Sequence, residues 1–399
     1  MKLNAQILVP SLSGFLYGFT MSIIGAALPS IARTFFLTPL QEGMVASIAM
    51  LGALLASAFA GVLANTLGRR QTLLLSVIAF LLGSLLSAAA GTDVHLLTGR
   101  FLVGIGGGIA TIAAPIYLVE TATVEHRGGV ANIYQVGIAL GTLLAFVSGY
   151  FLAPIGHWRM MFALAIVPAL IQGLGLFSIP ESSPGGTEDT SWTRLLDPSY
   201  RSRLLLAIGL FAVQGLSGTA AVFYFAPHIF AEAGFQGEKG PLLATIWIGV
   251  IYLAAILFSF LVIDRLGRRR LFLTSLSGMA LALCFAAWAY FSGSMWLTAA
   301  CLLGYIAAYA LGVGPVPPLV VAEISPLEIR GHAMTKAGFS GWVSNYVISL
   351  TFLPLLNVVA LGTVFLLYTA IALVGWVVFW KRLPETKQRS LEEIETMFR

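Results

Sequence analysis

The sequence predicts an all-α integral membrane protein: twelve transmembrane helices in two pseudo-symmetric six-helix bundles. Three observations carry that expectation. Of the 399 residues, 58% are hydrophobic and only 10% charged, with a mean hydropathy of +0.91, whereas a soluble domain carries charge on about 25% of its positions. That balance excludes a water-soluble fold. The apolar residues gather into blocks near the ~20 residues that cross a hydrocarbon core. Short polar motifs between the blocks also recur in order about 200 residues further on, the mark of a duplicated unit.

Along the chain, the first half holds spans at 6–29, 44–66, 71–91, 95–119, 130–153 and 158–179. The second half holds spans at 204–231, 241–263, 271–292, 295–322, 332–356 and 360–380. Span 1 follows Lys2 and has small residues at Ala26 and Ala27, as a secretory leader would. It is too long for a leader's apolar core and runs on into a multi-span pattern, so it reads as a membrane helix. Gly104–Gly108 (GIGGG) in span 4 resembles a dinucleotide loop, but no strand precedes it, and close helix packing is the expected role. Cys284 and Cys301 fall in spans 9 and 10 as small packing residues, with no disulfide framework implied.

The basic residues set the expected orientation. With both termini in the cytoplasm, Lys2, Arg69, Arg70, Arg127, Arg194, Arg201, Arg203, Arg265, Arg268–Arg270, Arg330, Lys336 and every basic residue from Lys381 onward lie inside. Arg33, Arg159 and Lys239 lie outside and Arg100 lies within span 4, the bias required by the positive-inside rule. Topology therefore accounts for the net charge of +5, and no soluble domain presents a basic patch to a nucleic acid. Short loops without an Asn-x-Ser/Thr site favour a cell (inner) membrane. The expected partners are membrane lipid and a small-molecule solute, and the expected state is a monomer.

The repeat defines the domains. Leu67-Gly68-Arg69-Arg70 recurs as Leu266-Gly267-Arg268-Arg269. Glu120, followed by Arg127, recurs as Glu323 followed by Arg330, and Pro180-Glu181-Ser182 recurs as Pro384-Glu385-Thr386. Residues 1–180 thus form an N-terminal bundle, 181–203 a polar cytoplasmic linker, and 204–399 a C-terminal bundle with a short tail. Two such bundles about an axis along the membrane normal enclose a site near mid-depth, which is the physical basis of alternating access.

Further motifs are Gly61–Arg70 (GVLANTLGRR), Gly99-Arg100, Pro115–Gly128 (PIYLVETATVEHRG), Asp264–Arg269 (DRLGRR), Gly314–Gly331 (GPVPPLVVAEISPLEIRG) and Pro384–Lys387 (PETK). In this order they resemble the major facilitator superfamily, and within it the sugar porter family, over nearly the whole chain. The resemblance implies the major facilitator fold and transport of a small polar solute, a sugar or polyol. Asn65 departs from it, since the superfamily usually has Asp there, while the second half keeps Asp264.

The resemblance also implies a cytoplasmic gating network. Arg69, Arg70, Glu120, Arg127 and Glu181, with Arg268, Arg269, Glu323, Arg330 and Glu385, would hold the inner ends together when the cavity faces outward. As independent surface ion pairs they would contribute only about 0 to 1 kcal/mol each.

Sugar binding needs neutral donors and acceptors aimed at hydroxyls and an aromatic face for the ring. Gln135 on span 5, Gln214 and Tyr224 on span 7, and Trp342 and Asn345 on span 11 stand where the family has such ligands. Helix packing is the bland alternative for each. Other family positions are depleted: Gly215, Ala220 and Tyr252 replace amide side chains, the span 10 Trp falls at Pro318, and the amide before Trp342 is Gly341. Fewer polar partners point to a ligand with fewer hydroxyls, a different pose, or more bulk.

Proton symport normally needs an ionisable group within the membrane. None of the 17 acids lies well inside a predicted span, with Glu120, Asp264 and Glu323 at cytoplasmic ends. Around Leu16–Pro29 the chain resembles proton-coupled sugar porters, which carry an Asp where Thr20 stands; passive facilitators have a neutral residue there. Facilitated diffusion (uniport) is the simplest expectation. Proton-coupled symport and export of another organic solute, an organic anion among them, are the alternatives. Arg100 is the one basic residue well inside a span and needs a partner, expected to be Thr20, Gln135, backbone carbonyls or a negatively charged substrate.

Two other classes compete poorly. An enzyme needs a nucleophile with its base, or clustered metal ligands, and the five His lie on separate segments. A channel needs charged rings or a carbonyl filter. No catalytic residue, metal or cofactor is expected.

Overall fold

The computed structural model describes residues 5–121, 127–181, 198–325 and 330–387. Among them are twelve helical spans long and apolar enough to cross a membrane. Spans 1 to 5 are Ala5–Phe35, Pro39–Leu67, Arg69–Ala88, Asp93–Thr121 and Arg127–Leu152. Span 6 is assembled from Trp158–Ala163 and Ile166–Leu176. Span 7 comprises Pro198–Gln214, a π-helical turn at Gly215–Thr219, and Ala220–Glu232. Spans 8 and 9 are Lys239–Leu266 and Arg268–Phe291. Span 10 repeats the broken pattern, with Met295–Ala308, a π-helical turn at Tyr309–Val313, and Val316–Ile324. Spans 11 and 12 are Arg330–Leu356 and Leu361–Arg382.

Helices are what lipid permits, because a strand edge or bare loop would leave backbone groups without partners there. The same pressure carries span 1 through Pro29 to Phe35, beyond the end expected from the sequence. Residues 198–203, expected in the linker, already belong to span 7.

Without a hydrophobic force between helices in lipid, small residues decide how closely they approach. In the first half, a Cβ on Gly104 would collide with the carbonyl of Ala49, and one on Gly108 with that of Ala53. Spans 2 and 4 thus meet backbone to backbone, and the GIGGG run is a packing surface. Spans 1 and 5 meet the same way, Gly18 against the Ile138 carbonyl.

Among the described residues, glycine-mediated contacts join the two halves on one side. A Cβ on Gly25 of span 1 would lie 2.5 Å from the Tyr224 carbonyl of span 7, and one on Gly43 of span 2 would lie 2.6 Å from the Leu350 carbonyl of span 11. Gly249 of span 8 packs on Leu143 of span 5. All three contacts lie toward the face opposite the chain termini. There too, at the surface, Arg33 and Glu238 approach to 3.9 Å across the halves, both well exposed.

Candidate functional site at the junction of the two halves

The span 7 and span 10 π turns stand side by side, and Gln214 ties them together. Its Nε2 donates to the carbonyls of Val313 (3.1 Å) and Gly314 (2.9 Å). A π turn breaks the i→i−4 ladder and frees carbonyls, which need donors where water is scarce. Other side chains complete the set: Tyr305 donates to Ser217 O at 2.9 Å, Ser259 to Leu311 O at 3.1 Å, and Ser275 Oγ accepts from Val313 N at 2.9 Å. Within span 7, Gly218 takes φ +91 and lies under the Tyr368 ring. No side chain with a Cβ adopts that backbone easily.

The expected solute contacts come together only in part. Gln135, Gln214, Trp342 and Asn345 are half-buried, and Tyr224 is 9% exposed. Trp342 meets Tyr17 of span 1 edge to face across the halves, ring centroids 6.0 Å apart. By contrast, Asn345 donates its amide to Gly341 O at 2.9 Å, on its own helix. Both N–H donors of the Gln214 amide are therefore engaged, whereas the Asn345 amide uses one of its two. Thr20 is 3% exposed and its hydroxyl donates to Leu16 O at 2.7 Å.

Several residues of the junction were not singled out from sequence. Phe223 packs on Tyr252 (4.9 Å between centroids) and on Tyr309 (6.3 Å), so spans 7, 8 and 10 share an aromatic cluster. Span 10 thus offers an aromatic ring at Tyr309, while Pro317 and Pro318 lie in the short helix after the turn. The signal that could have located it is the run Gly312, Gly314, Pro315 within an apolar segment, since Gly/Pro-interrupted spans mark binding sites in transporters.

Arg100 is 1% exposed. Its Nη1 donates to the backbone carbonyl of Thr20 at 2.7 Å, and its guanidinium faces the Phe162 ring at 5.8 Å. Of the partners expected, the structure uses a backbone carbonyl. Placing an arginine at the centre of a span costs about 2.5 to 3.5 kcal/mol, and one carbonyl with one ring is a thin return.

Near the terminal face, the repeated charges build the same corner twice. Arg69 bonds Glu120 at 3.0 Å, and Arg268 bonds Glu323 at 3.2 Å. Glu181 accepts from the backbone N–H of Arg70 at 2.8 Å, and Glu385 from that of Arg268 at 2.9 Å. A carboxylate at a helix N-terminus meets free N–H groups and the positive end of the helix dipole. Gly68 (φ +96) and Gly267 (φ +88) make room for it, since a Cβ on either would strike Glu181 or Glu385. Arg269 donates to the Trp380 carbonyl. Each of these contacts stays within one half. The side chains of Arg127 and Arg330 lie outside the described residues.

The comparisons with known proteins agree with this architecture. The family model described as sugar (and other) transporter matches residues 6–184 and 185–398. The arabinose-proton symporter of Escherichia coli (strain K12) is 33% identical, aligned over 96% of this chain and 91% of its own. The glucose transporter GlcP of Staphylococcus epidermidis is 31% identical, over 99% and 97%. Among solved structures, the E. coli xylose transporter XylE in an inward open conformation superimposes with a TM-score of 0.85 at 27% identity, covering 98% of this chain and 99% of that one. A twelve-span membrane protein whose halves meet at a polar, aromatic junction, matched over its whole length, belongs to the sugar (and other) transporter family of the major facilitator superfamily.

Proposed function

We propose that this protein is an alternating-access uniporter that carries a sugar or polyol through the junction between its halves. The observation that carries this reading is the junction itself. Aromatic side chains of the two bundles, Tyr17 and Trp342, meet edge to face where the halves touch. Relatives named for arabinose, glucose and xylose support a sugar as solute. In this reading residues 1–180 and 204–399 are the two moving bodies. The terminal face is cytoplasmic in a cell membrane, and contacts gathered toward the opposite face make the state inward-facing.

Gating follows from the same geometry. With the halves apart at the terminal face, Arg69, Glu120, Arg268 and Glu323 pair within their own bundles. Closing that face brings the two corners together, where Arg127 and Arg330 join them.

The uniport reading is supported by what faces Arg100. Among the described residues, the guanidinium meets a backbone carbonyl at position 20 and no carboxylate. Coupling needs a group that takes up and releases a proton as the cavity switches sides. In proteoliposomes, labelled arabinose, glucose or sorbitol should show saturable counterflow that neither an inward proton gradient nor an uncoupler alters. Acceleration by the gradient would overturn uniport and leave the carrier reading intact, and Thr20→Asp should create such acceleration.

A second reading, transport of an organic anion, is favoured by the incomplete pairing of Arg100.

A further inference from the structure

Arg100 carries more donors than the protein satisfies. Its Nε and Nη2 have no hydrogen-bond partner, although the residue is 1% exposed. Nε and Nη2 share one edge of the guanidinium plane, the edge that grips the two oxygens of a carboxylate side-on. Nη1, on the far edge, is the atom held by Thr20 O. Guanidinium keeps its charge at any pH a cell meets. Thr20 is the middle residue of span 1 and Arg100 the eighth of the 29 residues of span 4, so this permanent charge lies well within the spans, on the side of the face opposite the termini.

Among the described residues, no acid pairs with it. The acid closest to it along its own span is Asp93, at the opposite-face end of span 4, two helical turns or about 10 Å away along the axis. Span 1 presents Thr20 and span 6 presents Phe162, which is uncharged and buried. A water molecule would occupy a donor but leave the charge unbalanced.

We propose that Arg100 is the binding site of a small monovalent anion, which arrives either as a carboxylate on the transported solute or as a free inorganic ion such as chloride. The first source rests on the carrier reading above; the second does not. Thr20, whose carbonyl holds Nη1, lies one helical turn along span 1 from Tyr17, whose ring meets Trp342 across the halves. The guanidinium therefore lies about one turn from the junction that the carrier reading makes the solute path. A single cation walled by Phe162 selects against divalent anions, whose second charge would be buried without a partner.

The test uses the purified full-length protein in detergent, at constant ionic strength set with sodium sulfate. Chloride, D-glucuronate and neutral D-glucose are titrated separately while the thermal midpoint is followed. At saturation, at least one of the two monovalent anions should raise the midpoint by about 2 °C or more. That rise should be absent in Arg100→Gln. It should also be absent in Thr20→Asp, whose own carboxylate occupies the guanidinium and which serves if Arg100→Gln does not fold. A response to glucuronate without chloride assigns the anion to the solute, and a response to chloride assigns it to an inorganic ion. Wild-type protein indifferent to both, or an undiminished response in the variants, overturns the proposal. Counterflow of labelled glucose, arabinose and sorbitol, run in parallel, separates the two readings. Exchange without an anion response sinks only the anion site, whereas an anion response without exchange of any solute sinks the carrier reading.

Discussion

Spans 1 and 4 are single helices of 31 and 29 residues, whereas spans 7 and 10, their counterparts six spans later, are each cut by a π turn. The same unit has thus been used as a stiff wall and as a jointed one. The stiff half packs backbone on backbone through Gly18, Gly104 and Gly108. The jointed half leaves carbonyls loose at Val313, Gly314 and Ser217 and collects them with Gln214 and Tyr305. A joint that must move needs bonds that can be exchanged, so side chains rather than the helix ladder hold it. The difference assigns two tasks: the first half positions, and the second half yields.

The sharpest way to break that contrast is to crowd the stiff wall. Gly104→Leu would drive a side chain into the Ala49 backbone, and at about 3 kcal/mol, the upper end of overpacking costs, most of the protein should be lost as aggregate in size-exclusion chromatography. Normal yield with normal transport would show that spans 2 and 4 are not tightly coupled. In the jointed wall, Gly218→Ala meets both an unfavourable φ and the Tyr368 ring. It should lower the thermal midpoint by the equivalent of about 1 to 3 kcal/mol and slow exchange more than it weakens solute affinity.

Paired amides sharpen the comparison at the solute. Gln214→Ala unties Val313 and Gly314, so stability should fall by about 1 to 3 kcal/mol, the cost of unsatisfied buried groups, together with the transport rate. Gln135→Ala, in the stiff wall, should instead raise KM by about fivefold at an unchanged melting point, as the loss of one hydrogen bond worth about 1 kcal/mol predicts. If the two variants cannot be told apart, the assignment of roles to the halves fails.

Weaker effects test the symmetry. Glu120→Gln and Glu323→Gln remove the same pair from matching corners. Each should slow transport by roughly three- to tenfold, as the loss of a charged hydrogen bond suggests, with expression intact and the protein more accessible from the terminal face. The smallest change belongs to Glu238→Gln at the exposed pair with Arg33. It should move stability by about 0 to 1 kcal/mol, and less in high salt.

The twelve spans, the sugar porter family and the repeat were legible because lipid imposes a uniform rule on every spanning segment and because local motifs survive duplication. Gly68 with Glu181, and Gly267 with Glu385, could be matched by eye, and each pair meets in space. What each amide binds was not legible. Gln214 and Asn345 were expected as solute contacts, yet their NH2 groups serve backbone carbonyls of Val313, Gly314 and Gly341. Nothing at position 214 records that a π turn on span 10 will stand opposite it.

Hydropathy, basic-residue bias and repeated motifs are properties of short stretches, so the sequence alone determined that the chain crosses a membrane twelve times and resembles its own second half. Pairings such as Arg100 with Thr20 O, Tyr17 with Trp342, and Gly43 with Leu350 join residues far apart in the chain. Their distances depend on how whole helices lie against one another. Only the tertiary structure could decide them, and with them which donors were left open.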